Sequence, residues 1–231
     1  MINKNPEKLI NELRVKFNSN FDDWSKVNHD ELVNIFLLTR VISETGLILK
    51  QRAISKHHKK CCLIFDEIFS DVITAIYLAS CSLDKPASIV LRRVIELGVT
   101  SIYLWDMPNV SYSWELYNQN LSFTDMLNHI NSDGYLSYVS EEIGQVVNGE
   151  LISTTILKRI YKELSDIVHG KITTFETSLE KCFSFSEEDW RTISTQTYEI
   201  LTTLVNAYIM RFNLKKELKK KIPAFANLSK V

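Results

Sequence analysis

Apolar residues along this chain recur at intervals of three and four rather than two, so the pattern predicts helices and not strands. Leu9, Ile10, Leu13 and Phe17 mark a short amphipathic helix over Pro6–Phe17. A polar, turn-rich segment follows to Asn28, with Trp24 folding back as an anchor. A second helix starts near Asp30 and runs through Leu32, Ile35, Phe36, Leu38, Ile42, Leu47 and Leu49 to Arg52, with Gly46 as a bending point. Arg52–Lys60 is a basic break or a solvated turn of continuing helix, and Cys62–Ala79 is a third helix with Asp66, Glu67 and Asp71 on one polar side.

The chain is organised around Lys85–Trp105. Asp84 and Pro86 form a helix start, and from Ile89 to Leu104 the segment is apolar on almost every side, which predicts a central helix enclosed by others. Beyond it, Asp106–Asn120 is expected as an irregular aromatic connection. Ser122 caps a short helix to Asn131, Asp133–Gly134 is a turn, and Tyr135–Val147 is another short helix. A strong helix over Leu151–Val168 ends at His169–Gly170. Residues 171–185 alternate in part and are expected as a loop or short hairpin. Ser186 then caps a last long helix to Lys221. The expectation is an all-α helical bundle in one domain over 1–231: N-terminal helices to 84, a core bundle over 85–222 and a tail from 223.

Composition agrees: 6 glycines and 4 prolines in 231 residues are too few for the turns of an all-β fold. A formal net charge of -1 calls for neither a nucleic acid nor a membrane as partner, yet leaves room for a local basic patch. Cys61, Cys62, Cys81 and Cys182 have neither metal-site nor disulfide-framework spacing, and adjacent Cys61–Cys62 read as small apolar residues in a reducing cytoplasm. The charged N-terminus does not read as a signal peptide. No run reaches the roughly 18 uninterrupted apolar residues of a membrane span. The chain is therefore expected to be cytoplasmic and soluble, without a membrane partner. It shows no phosphate-cradling glycine loop, His-Glu-x-x-His pair or nucleophile elbow, so no metal and no cofactor is expected.

Candidate chemistry lies in two places. In the central helix, Arg92 and Glu96 are spaced to pair on one face, with Arg93 beside them. Charges set into a buried helix are either a tie between helices or part of a site. In RIYKELSDIVHGK, Arg159–Lys171, helical geometry puts Tyr161, Leu164, Ser165 and Val168 on one face with His169 at its edge. His169 reads either as a general acid or base or as a residue complementing the helix dipole.

LSDIVHGK resembles the tail of the signature of the HEPN superfamily, helical proteins whose helix carries an arginine before a terminal histidine. The resemblance implies a dimeric helical bundle acting on RNA or a nucleotide, in toxin–antitoxin or antiviral defence systems, and in many members metal-independent ribonuclease activity. His169 would be the acid/base or phosphate-contacting group, with Tyr161 and Ser165 orienting it. The family's arginine position is Leu164 here, so Arg92 or Arg93, with Glu96, would supply the charge from the central helix. Alternatively, Arg52 with His57 or His58 satisfies the arginine–histidine spacing. Lys171, Lys215 and Lys219 would meet a nucleic acid backbone. The alternative function is a non-catalytic scaffold acting through a homodimer or a partner protein from the same locus.

Overall fold

The computed structural model describes residues 6–26, 29–171 and 184–227, and within them the protein is all-α: ten helices, one short 3-10 turn and no strand. The expected hairpin near 171–185 lies almost wholly outside the described residues.

Helix α1 spans Pro6–Trp24, longer than the pattern predicts, because Asn18–Asp23 continue the helix instead of breaking it. Trp24 closes it and packs edge-on to Trp190, ring centroids 5.5 Å apart, as an anchor should. Asn20, buried in α1, donates to the Cys81 carbonyl at 3.3 Å. Helix α2 is His29–Arg52, and α3 is Lys56–Ser80. The basic run, expected as a break or a solvated helical turn, is both: residues 53–55 interrupt the helices and Lys56–Lys60 open α3, capped by Ser55, whose hydroxyl accepts from the His58 N–H at 3.1 Å. At Gly46 α2 comes close to α3, since a Cβ there would stand 2.7 Å from Phe65 Cβ.

The central helix α4 is Asp84–Asp106. Leu91, Val94, Ile95, Val99, Ile102 and Leu104 lose all solvent exposure, each contributing about 1.5–3 kcal/mol of burial. Its neighbours are α3, α6, α8 and α9, with α9 being Glu187–Phe212. One side of α4 escapes the enclosure: Ile89 is exposed and Arg93 half-exposed. After Met107 comes a helix where an irregular connection was expected: α5, Pro108–Tyr117, with proline in its first turn and Asn118 ending it at φ 50°. It buries none of its side chains. Helices α6 (Phe123–Ile130) and α7 (Asp133–Ile143) are capped by Ser122 and Ser132, so Asp133–Gly134 opens a helix instead of making a turn. Helix α8 is Thr154–Val168.

The last long helix is broken. Asn213 sits in the left-handed region at φ 50°, separating α9 from α10, Lys215–Lys221. The expected tail folds too: Pro223–Asn227 is a 3-10 turn with Phe225 buried. A single apolar core runs from Leu32 to Phe225. By length and mean hydropathy, α2 alone among the described helices would suit a membrane crossing, and 56% of that window is buried within the protein. It packs against α3, α9 and α10 as a core helix.

Candidate functional site

Helices α4 and α8 run antiparallel, so Ser88 lies level with Ile167 and Arg92 one to two turns further along, level with Tyr161. Here four of the sequence-predicted residues meet. Arg92 Nη2 donates to the Tyr161 hydroxyl at 2.8 Å, that hydroxyl donates to Glu96 Oε1 at 2.9 Å, and Arg92 and Glu96 form an ion pair at 3.1 Å. The guanidinium also lies over the Tyr161 ring, 4.9 Å from its centroid, while the ring stacks on Phe123 of α6 at 4.1 Å. Ser165 donates to the Tyr161 backbone carbonyl at 2.6 Å, so it serves α8 itself. Burial first, then the Glu96 carboxylate, raise the Tyr161 phenol above its ordinary value, against the pull of the Arg92 hydrogen bond. Burial pulls Arg92 down, but the Tyr161 and Glu96 contacts outweigh it and its pKa is raised. The result is a protonated phenol between a fixed cation and a carboxylate, tying three helices together. Arg92 Nε is one of six buried side-chain polar atoms without a hydrogen-bond partner among the described residues.

The remaining predicted residues are elsewhere. His169 caps α8 through its backbone N–H, which donates to the Ser165 carbonyl at 2.9 Å, and its side chain is exposed. It stands eight residues beyond Tyr161, about 12 Å along the helix axis. Within one chain, then, Arg92 and His169 are not neighbours. Arg93 points to the other side of α4, where it holds Asp71 at 2.5 and 2.6 Å and Glu67 at 2.7 Å. It also borders a cavity of about 470 Å³ walled by Cys61, Ile64, Leu97, Leu104 and Trp114. The alternative pair is committed as well. Arg52 donates to the Phe212 carbonyl at 2.9 Å and pairs with Glu217, while His57 is buried with Nε2 donating to the Trp105 carbonyl at 3.2 Å.

The three lysines assigned to a nucleic acid do not form one patch. Lys171 pairs with Asp166 at 2.5 Å at the His169 end. Lys215 and Lys219 are exposed at the opposite end of α4, where Trp105 meets Phe212. The separation is of the order of the 23-residue length of α4, about 35 Å. The aromatics around the end of α4 divide: Tyr103 and Trp105 pack on the core, and Tyr112, Trp114 and Tyr117 are exposed on α5.

Sequence reasoning missed the most buried polar cluster. Asp106, the last residue of α4, receives both Arg211 Nε at 2.8 Å and Arg211 Nη2, plus the Tyr135 hydroxyl at 2.5 Å. The two charged side chains are only 5% and 6% exposed. Burial and the adjoining Asp106 carboxylate raise the Tyr135 phenol far above its ordinary range, so it stays a donor. Beside this cluster His58 stacks on Trp105 at 4.1 Å, and burial followed by the charge of His57 lowers its pKa from 6.5. Nothing local marks Asp106 and Arg211 as partners. The only signal was charged residues in otherwise apolar helix ends.

Among the described residues no three His, Cys, Asp or Glu side chains are placed to share a metal ion. No protein-family model, no curated protein and no solved structure matches the chain.

Proposed function

We propose that the chain is a HEPN-like component of a bacterial defence or toxin–antitoxin type system that works as a binding scaffold, through a homodimer or a partner protein. The observation that carries this reading is the commitment of Arg92. Its guanidinium is held by Tyr161 and Glu96, about two turns of α8 from the exposed His169, so Arg92 and His169 of one chain do not meet a phosphodiester together. The association with defence rests on the resemblance of LSDIVHGK alone.

The second reading is a metal-independent endoribonuclease completed between two copies. What favours it is the exposure of His169: a group that must exchange a proton with RNA has to be reachable, and this imidazole is. Inducing wild type, His169→Ala and Arg92→Ala in a bacterial host, with growth and RNA integrity followed, separates the two. The scaffold reading expects intact RNA in all three, with wild type recovering a discrete partner or a second copy after cross-linking. RNA cleavage by wild type that disappears in a folded His169→Ala variant refutes it in favour of the nuclease.

A further inference from the structure

Two basic runs, 153 residues apart at their closest, meet at one end of the bundle without serving the proposed function. Residues 50–60 and 213–227 together hold ten of the 27 Lys and Arg but one of the 28 Asp and Glu, so they carry +9 while the rest of the chain carries -10. Arg52 joins them, donating to the Phe212 carbonyl and pairing with Glu217 of α10. Helix α10 turns Leu218 into the core and leaves its lysines outside. Lys60 and Lys221 pair with Glu115 and Glu44. Lys50, Lys56, Lys59, Lys215, Lys216, Lys219 and Lys220 are exposed, and none forms an ion pair among the described residues. At the corner between α2 and α3 stands Ile54, 96% exposed, between Arg52 and Lys56.

We propose that this end is a docking surface for anionic phospholipid headgroups, with the lysines meeting the headgroup charge and Ile54 entering the interfacial layer. The contact is peripheral and independent of the scaffold reading. Lysines alone would also suit a nucleic acid backbone, but two observations favour the bilayer. Ile54 is aliphatic and bare, suited to insertion and unable to stack on a base. The one arginine at this corner has its fork occupied by Phe212 and Glu217, so the free cations are point charges without bidentate geometry. The surface is also the end of a bundle and its helix corner, a shape that meets a plane.

The test is co-sedimentation of the full chain with phosphatidylcholine vesicles and with phosphatidylcholine/phosphatidylserine vesicles over a salt series, beside anisotropy of a labelled single-stranded oligoribonucleotide. Binding is expected only with phosphatidylserine and should weaken steeply with salt. Each lysine changed to alanine at 56, 59, 215 or 219 should reduce it about five-fold. Ile54→Asp, at a site that contributes nothing to the core, should reduce vesicle binding by about ten-fold while far-UV ellipticity is unchanged. Failure of wild type to bind phosphatidylserine vesicles at low salt overturns the proposal. So does full binding by Ile54→Asp, or binding of the oligoribonucleotide with none to vesicles.

Discussion

Asp106→Ala should be among the most damaging single substitutions in the protein. The carboxylate is 5% exposed and holds a guanidinium that is 6% exposed, through two hydrogen bonds, with the Tyr135 hydroxyl as a third donor. Truncation leaves Arg211 charged in a site closed to water, and breaking a buried pair in this way costs about 3–5 kcal/mol. For a chain of this size each kcal/mol moves the midpoint by about 2–4 °C, so thermal unfolding should occur roughly 6–20 °C lower. The double variant Asp106→Leu/Arg211→Met discriminates between an uncompensated charge and simple loss of packing. Removing both charges cancels the desolvation problem and leaves the buried Tyr135 hydroxyl without its acceptor, a penalty of about 1–3 kcal/mol, while the exposed Tyr138 hydroxyl that also donates to Asp106 can turn to water. Urea unfolding followed by far-UV ellipticity should therefore place the double variant above Asp106→Ala in stability. The reasoning fails if Asp106→Ala costs less than about 1 kcal/mol, or if the double variant loses as much as the two single variants combined.

Two further outcomes follow from packing and titration. Gly46→Ala places a methyl against Phe65 Cβ, an atom fixed to its backbone, so α2 and α3 must separate. Overpacking of about 1–3 kcal/mol should outweigh the roughly 1 kcal/mol gain in helix propensity, and chemical denaturation should show net loss. Burial, followed by the neighbouring Cys62, pushes the Cys61 thiol up to about 12 from an ordinary 9.0. Between those values the unfolded chain has released this proton and the native one has not, so its contribution to stability falls by up to about 1.4 kcal/mol per pH unit as pH rises. Cys61→Ala should flatten that part of the pH–stability curve, and native wild type should react slowly with a disulfide reagent at pH 8, a readout of thiolate access.

Much of the architecture was legible because helices announce themselves by period: α2, α4 and α8 follow from apolar spacing, and Ser122 and Ser186 cap where short-range chemistry says they should. The misplaced boundaries have local causes. Ser55 was an unheeded cap, because the lysines and histidines after it look like a solvated turn. Helix α5 escaped notice because it buries no stripe, and period-based reading detects only helices that face a core. Asn213 broke the last helix by adopting a conformation more often associated with glycine. The Arg92–Glu96 pair was visible through its spacing and Tyr161 through its helix. Their orientation away from His169 was not, since one helix wheel fixes directions only within that helix. The partnership of Asp106 with Arg211, 105 residues apart, is purely tertiary.

The seal that Arg52 makes with Phe212 and Glu217 joins residues 160 and 165 positions apart. In vectorial synthesis the corner between α2 and α3 therefore leaves the ribosome long before the groups that close it. At 5–20 residues per second, roughly, that guanidinium waits about ten to thirty seconds for its carbonyl. Throughout that interval the apolar groove destined for Leu214, Leu218, Ile222 and Phe225 is open on the nascent chain. Its assembly is thus a late ring closure, and the residues after Asn213 act as its clasp.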